Sequence, residues 1–181
     1  MDDERPEREQ RFRRLYDAHK AAVRAYAWRR GPDSAEDVAA ETFTIAWQQL
    51  ESVPAEPLPW LLGIARNVRL SQERADRRRR KRERRCAESD VVPSFAEAVE
   101  EQAALRGALE RLTETDREIL LLAAWERLDR AGLATVLGCT KTAASVRLFR
   151  ARKRLAAAFQ QVSTDPRPLT VDASGRLLDE C

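Results

Sequence analysis

A single histidine, His19, serves a chain of 181 residues. That argues against His-based triads, zinc–histidine sites and haem ligation. Cysteine is sparse too. Cys86, Cys139 and Cys181 are odd in number and far apart, which suggests neither a disulfide framework nor a metal cluster. Aromatic residues make up only 6% and there are six glycines, so there is little interior in which to hide a substrate, and no cofactor or metal is expected. The longest apolar run falls well short of the roughly 20 residues that span a bilayer, and nothing before Phe12 reads as a signal peptide. A soluble protein of a reducing, cytoplasmic compartment is predicted, without membrane insertion. What the chain has instead is charge, at 35% of residues, beside 43% hydrophobic residues for small helical cores.

The net charge of +3 hides an uneven distribution. Residues 60–85 carry 11 cations and 3 anions, and residues 141–162 carry 6 cations and no anion. The blocks around them are acidic: 12 anions against 9 cations over 1–59, 11 against 5 over 86–140, and 4 against 2 over 163–181. Two positive blocks alternating with acidic ones imply two separate contacts with a polyanion, the acidic surfaces being kept for another partner.

Helical spacing recurs throughout, and no segment alternates with a strand's period of two. Phe12, Leu15, Tyr16, His19, Val23, Tyr26 and Ala27 stripe a helix over about 8–30 that Gly31-Pro32 ends. Ser34 to Asp37 reads as a capping box opening a helix over about 35–50, with Val38, Ala39, Thr42, Ile45, Ala46 and Leu50 inward. After a proline-rich loop, Pro59 suits the first turn of a helix running from Trp60 through Leu61, Ile64, Ala65 and Val68 into the Arg run 77–85. Its apolar periodicity stops near Leu70, so the basic end is expected to project or fray. A linker with Pro93 follows. Ala98, Leu105, Leu109 and Leu112 mark the next helix, a second capping box at Thr113 to Asp116 opens another, and two more span about 129–137 and 140–160. The prediction is an all-α protein of two small helical domains, over 8–80 and 96–162, joined by a flexible linker at 81–95 and followed by a disordered tail at 163–181.

Residues 128–150 carry the most specific signal, a helix-turn-helix. A second helix can enter a major groove about 12 Å wide only if the first crosses it closely and the chain turns sharply between them. Ala134 is small enough for the crossing, Gly138 supplies the positive φ of the turn, and Thr140 can cap the second helix. Leu133, Leu137, Ala144 and Leu148 are the expected anchors. The helix that follows shows Lys141, Ser145, Arg147, Phe149, Arg150, Arg152, Lys153 and Arg154, with no acid to repel phosphate. This reads as a DNA reader.

Three segments in order resemble the extracytoplasmic-function (group IV) sigma factors of bacterial RNA polymerase, in the sigma-70 family and of an actinobacterial type. They are Asp37-Val-Ala-Ala-Glu-Thr-Phe-Thr-Ile-Ala-Trp47, then Pro59-Trp-Leu-Leu-Gly-Ile-Ala-Arg-Asn67, and finally Leu137-Gly-Cys-Thr-Lys-Thr-Ala-Ala-Ser-Val-Arg-Leu-Phe-Arg-Ala-Arg152. The resemblance covers about residues 11–160. The chain departs from the family at Thr142 and Ala144, where Gly and Val are usual, at Ser145, often Lys or Arg, and at Ser71, where Asp is common.

The resemblance implies a non-catalytic factor that docks on core RNA polymerase and directs promoter-specific initiation by reading −35 and −10 elements and helping to melt DNA. Asp37, Glu41, Phe43 and Trp47 would meet a coiled coil of the polymerase's largest subunit, and the second domain the flap of the second-largest subunit. Trp60, Arg66, Asn67, Arg69, Arg74, Arg77 and Arg78 would serve −10 recognition and melting, Asn67 offering the paired donor and acceptor a base edge needs. Trp60 reads equally as a stacking wedge and as an interior anchor. Lys141, Thr142, Ser145, Arg147, Phe149, Arg150 and Lys153 would read the −35 element. Many family members are restrained by an anti-sigma factor, and no obligate homo-oligomer is implied. The alternative is a stand-alone helix-turn-helix regulator, though neither a zipper nor a sensor domain is evident. A small nuclease would need clustered carboxylates, whereas the acidic pairs Glu100/Glu101 and Glu126/Asp129 fall at the spacing of solvated helix faces.

Overall fold

The apolar stripe of the first segment closes into α1, Glu4–Trp28, burying Leu15, Val23, Tyr26 and Ala27. The amides of Arg30 and Gly31 both return to the Ala27 carbonyl, and Pro32 cannot prolong the helix. In this computed structural model, which describes residues 4–83 and 100–164, a 3-10 turn at Pro32–Ser34 leads into α2, Ala35–Gln48. Here the sequence expectation needs correcting. Ser34 makes no side-chain cap to α2; its hydroxyl donates back to the Gly31 carbonyl at 3.4 Å. The preceding turn holds Ser34 at φ −107°, ψ 2°, not in the extended conformation from which a cap reaches forward.

A second 3-10 turn, Leu50–Ser52, leads toward α3, Pro57–Glu83. The helix starts two residues before Pro59, because both Pro57 and Pro59 fit a first turn whose N–H groups have no intrahelical acceptor. Leu61, Leu62, Ala65 and Val68 are buried along it. Its backbone stays helical well past Leu70, where the apolar stripe ends. α1, α2 and α3 pack on one another.

α4, Glu100–Glu110, and α5, Glu114–Ala124, follow. Thr113 Oγ1 accepts from the Asp116 amide at 3.2 Å, the forward half of the expected capping box. The Arg117 guanidinium donates to the carbonyls of Leu109, Glu110 and Leu112, which satisfies acceptors left over at the end of α4. α6, Arg130–Leu137, is capped by Asp129, whose Oδ1 accepts from the Gly132 amide at 2.7 Å. Removing that cap with Asp129→Ala should lower stability by about 1 kcal/mol, read as a shift in urea midpoint at constant slope. α7, Lys141–Thr164, ends the described chain.

Among the described residues there are seven α-helices and no strand, as the all-α reading expects. The expected linker over 81–95 lies outside the described residues apart from the last turn of α3, and so does the expected tail over 163–181 apart from its first two residues. Contacts group the chain into two compact units that interleave in sequence: Met1–Phe95 with Leu121–Arg147, and Ala96–Leu120 with Leu148–Cys181. In the first of these units α6 packs directly against α3.

Candidate nucleic-acid interface

The turn between α6 and α7 is built from backbone requirements that the sequence meets. Gly138 lies at φ 60°, ψ 42°, the left-handed region that costs glycine least. From there the Cys139 amide reaches the Ala134 carbonyl at 3.0 Å and the Gly138 amide the Thr135 carbonyl at 3.3 Å, the paired closure of a Schellman motif. Thr140 Oγ1 accepts from the Ala143 amide at 3.1 Å and caps α7, as expected. Leu133 and Ala144 are buried as anchors, while Leu137 and Leu148 are half-buried. Ala151 and Ala158 continue the inner stripe of α7.

That stripe sets what α7 can offer to a ligand. Lys141, Thr142, Arg147, Phe149, Arg150 and Lys153 are exposed, and Phe149 keeps 70% of its surface open. Ser145 is half-buried and its hydroxyl donates to the Lys141 carbonyl at 2.9 Å, which leaves it less free for a base than its position suggests. Arg154 holds both oxygens of buried Asp116, at 2.9 and 2.7 Å. The sequence reading missed this pair, because 38 residues separate its members. The outer face of α7 thus presents cations flanking an exposed phenyl ring, with one helix N-terminus and its free amides at the end nearest the turn.

The second basic block is less uniform than its composition. Asn67, Arg74 and Arg78 are exposed on α3, and Trp60 and Arg66 are half-buried. Arg69 departs from the expected phosphate contact. It is 8% exposed and ion-paired with Glu73 one turn on, so its charge is already answered inside the protein. Arg77 lies in α3, but its side chain is outside the described residues. Trp60, Arg66 and Asn67 line one cleft of about 530 Å³. Glu41 and Ile45 of α2 form one side of it, and Thr135 to Gly138, from the end of α6, another.

The expected polymerase edge splits into two faces. At 100° per residue Asp37 and Glu41 lie about 120° around α2 from Phe43 and Trp47. Asp37 and Glu41 are exposed, and Glu41 accepts from Gln72 Nε2 at 3.1 Å. Phe43 is 5% exposed and is a core residue here, its ring edge-on to Tyr16 at 4.7 Å and to Phe12 at 6.4 Å. Trp47 is half-buried, 5.2 Å from Phe12 and beneath the Arg8 guanidinium. Phe12, Tyr16 and Trp47 together line a shallow groove of about 420 Å³ between α1 and α2. The contribution of Tyr16, still 40% exposed, was the signal overlooked, since its place on the α1 stripe marked it as core. Burial lowers the pKa of neighbouring His19, which favours its neutral form.

Among the described residues no helix is long and apolar enough to cross a membrane, and no group of His, Cys, Asp and Glu is placed to hold a metal ion. The Sigma-70 region 2 family matches residues 15–83 and the Sigma-70, region 4 family residues 102–155. The chain is 36% identical over 138 residues to the probable RNA polymerase sigma factor RfaY of Xanthomonas campestris, matching 71% of this chain but spanning about a third (34%) of that protein. It is 28% identical to the ECF RNA polymerase sigma factor SigL of Mycobacterium tuberculosis, over 83% of this chain and 90% of SigL. To ECF RNA polymerase sigma factor EcfG of Rhodopseudomonas palustris it is 31% identical, over 69% of this chain and 71% of EcfG. Among solved structures, RpoE of Bartonella quintana in complex with the anti-sigma factor NepR superposes with a TM-score of 0.64 at 25% identity, covering 82% of this chain and 96% of that one. CnrH in complex with the cytosolic domain of CnrY gives 0.56 at 25% identity, covering 83% and 88%. With both regions present in order and an exposed, acid-free second helix behind a closed helix-turn-helix, the chain belongs to the extracytoplasmic-function sigma factors of the sigma-70 family, which direct RNA polymerase to promoters.

Proposed function

We propose that residues 8–80 act as the core-binding and −10-reading domain of this sigma factor and residues 96–162 as its −35 reader, with 81–95 as linker and 163–181 as a tail. The observation that carries the reading is the outer face of α7. Lys141, Thr142, Arg147, Phe149, Arg150 and Lys153 stand open to solvent on a segment without a single acid. Arg147 and Arg150 meet guanine or phosphate, Phe149 touches a thymine methyl or sugar, and Ser145 serves as a shallow contact at the rim. On α3, Asn67 reads a base extruded into the cleft with Trp60 beside it, while Arg66, Arg74, Arg77 and Arg78 hold phosphates. Arg69 braces the helix through Glu73 in place of contacting DNA.

Core polymerase is met by two surfaces on the first three helices: the acidic pair Asp37 and Glu41, and the groove that Trp47 shares with Phe12 and Tyr16. Their partner is the coiled coil of the largest subunit, and the −35 reader rests on the flap of the second-largest. The factor works in the cytoplasm, has no catalytic residues of its own, and is open to restraint by an anti-sigma protein, as RpoE is by NepR in its complex.

The test is transcription by core polymerase on a promoter library with and without the purified chain. Selective starts that depend on the chain, together with retention of core subunits on it, are the expected result. Operator binding without polymerase retention would favour the stand-alone regulator instead.

A further inference from the structure

We infer that Asp116 is a specificity-determining residue of the −35 reader that does not itself touch DNA: it occupies Arg154 as a phosphate would, and so withholds one cation of α7 from sequence-independent contact. This rests on the reading of α7 as the −35 helix.

By position, Arg154 belongs with the cations that face DNA. At 100° per residue, Arg147, Arg150 and Arg154 fall within about 60° of one another around α7, and Arg154 stands one turn beyond Arg150. A phosphodiester backbone lying along that row meets all three. The Arg154 side chain is also 58% exposed, so burial does not remove it. Its charge is nonetheless answered. Arg154 Nη1 lies 2.9 and 2.7 Å from the two Oδ atoms of Asp116. One charged nitrogen bridging two anionic oxygens is the contact it would make with the paired free oxygens of a phosphate.

Asp116 is the fixed member of the pair. It is 7% exposed and lies in the first turn of α5, where the helix dipole favours a carboxylate. Its amide donates to Thr113 Oγ1 at 3.2 Å, and the next side chain, Arg117, is tied to three carbonyls at the end of α4. The backbone that carries the carboxylate is therefore anchored on both sides. An exposed ion pair would yield readily to DNA, since such pairs contribute little. Here, transferring Arg154 to a phosphate strands a buried carboxylate without its cation, a penalty that Arg147 and Arg150 do not carry.

The consequence is a lower background. Each cation that meets phosphate strengthens binding to every sequence alike, and it is binding to arbitrary sequence that competes with the target. A freed Arg154 would help most where no base contact fixes the register, because the chain could then settle wherever most phosphates are met. A matched complex is held in one register by its base contacts and gains less.

The test titrates the full chain with a short duplex bearing the −35 sequence selected from the promoter library, and with the same duplex scrambled, over a series of salt concentrations. Asp116→Asn keeps the shape and removes the charge. On the scrambled duplex it should steepen the slope of log affinity against log salt by about 0.9 and raise affinity at low salt at least about threefold, the mark of one added phosphate contact. The ratio of matched to scrambled affinity should fall at least about twofold. Adding Arg154→Gln to Asp116→Asn should return the slope to that of the natural chain. Glu114→Gln changes the net charge equally from the same turn of α5, and it should leave the slope unchanged. So should Arg154→Gln alone, in contrast to Arg78→Ala.

An unchanged slope in a folded Asp116→Asn chain, or the same steepening with Glu114→Gln, would overturn the inference. So would a slope shallower by about one with Arg154→Gln alone, because that arginine would then already be on phosphate. Should Asp116→Asn lose helix content, Arg154→Gln alone decides. A natural chain that does not distinguish matched from scrambled duplexes would overturn the −35 reading and the role in specificity with it, while the slopes on the scrambled duplex still report whether Asp116 keeps Arg154 from DNA.

Discussion

Leu62→Ala is expected to lower the unfolding free energy by about 2–5 kcal/mol, the range for a leucine truncated in a packed interior. Leu62 is fully buried on α3 beside Leu61, and α3 is the helix on which α1, α2 and α6 all pack. Truncation removes apolar surface from the core and leaves a cavity that three neighbouring helices cannot all move to fill, so the transfer and cavity penalties add. Since a domain of this size is stable by only about 5–15 kcal/mol, the loss is a large part of the total. Urea unfolding should show a lower midpoint with an unchanged slope. Leu105→Ala is the matched control, because Leu105 is 42% exposed and should cost no more than about 0.5 kcal/mol. Equal costs at the two positions would mean that α3 is not the central helix of its unit.

The second large effect separates base reading from phosphate holding. Arg150→Ala should weaken binding to a matched −35 element by about 1–3 kcal/mol, or about 5- to 150-fold, because a bidentate arginine–guanine pair is lost, and it should leave a scrambled element almost unaffected. Arg78→Ala should weaken matched and scrambled sequences alike and reduce the slope of log affinity against log salt by about one, the signature of one phosphate contact removed. Both arginines are exposed, so neither replacement should disturb the folded core. Equal loss on matched and scrambled −35 sites for Arg150→Ala would sink its assignment as a base reader. A loss confined to matched sites for Arg78→Ala would do the same for its assignment to the backbone.

Two misplaced residues were legible in the sequence and were obscured by counting charges and rings in blocks. Arg69 and Glu73 stand one helical turn apart, the spacing at which a guanidinium and a carboxylate meet, so the tally of cations on α3 overstated what is available to DNA. Phe43 is one helical turn beyond buried Ala39, which places it on the packed side of α2 and away from Asp37. Ser34 shows the converse. Its residue type and its spacing to Asp37 suit a cap, but a 3-10 turn just before it withholds the backbone conformation that capping requires.

Helix content, the glycine turn at Gly138, the Thr140 and Thr113 caps and the acid-free face of α7 were determined by the sequence alone. Each depends on residues within about four positions of one another, where backbone geometry leaves few choices. Only the tertiary structure decided that α6 lies on α3, that Glu126 joins Arg29 and Arg30, and that Asp116 takes up Arg154. Those partners are 38 to 97 residues apart. No local pattern selects among the chain's many opposite charges; the choice is made by which apolar faces bury each other, and the charges then pair with whatever that burial brings within reach.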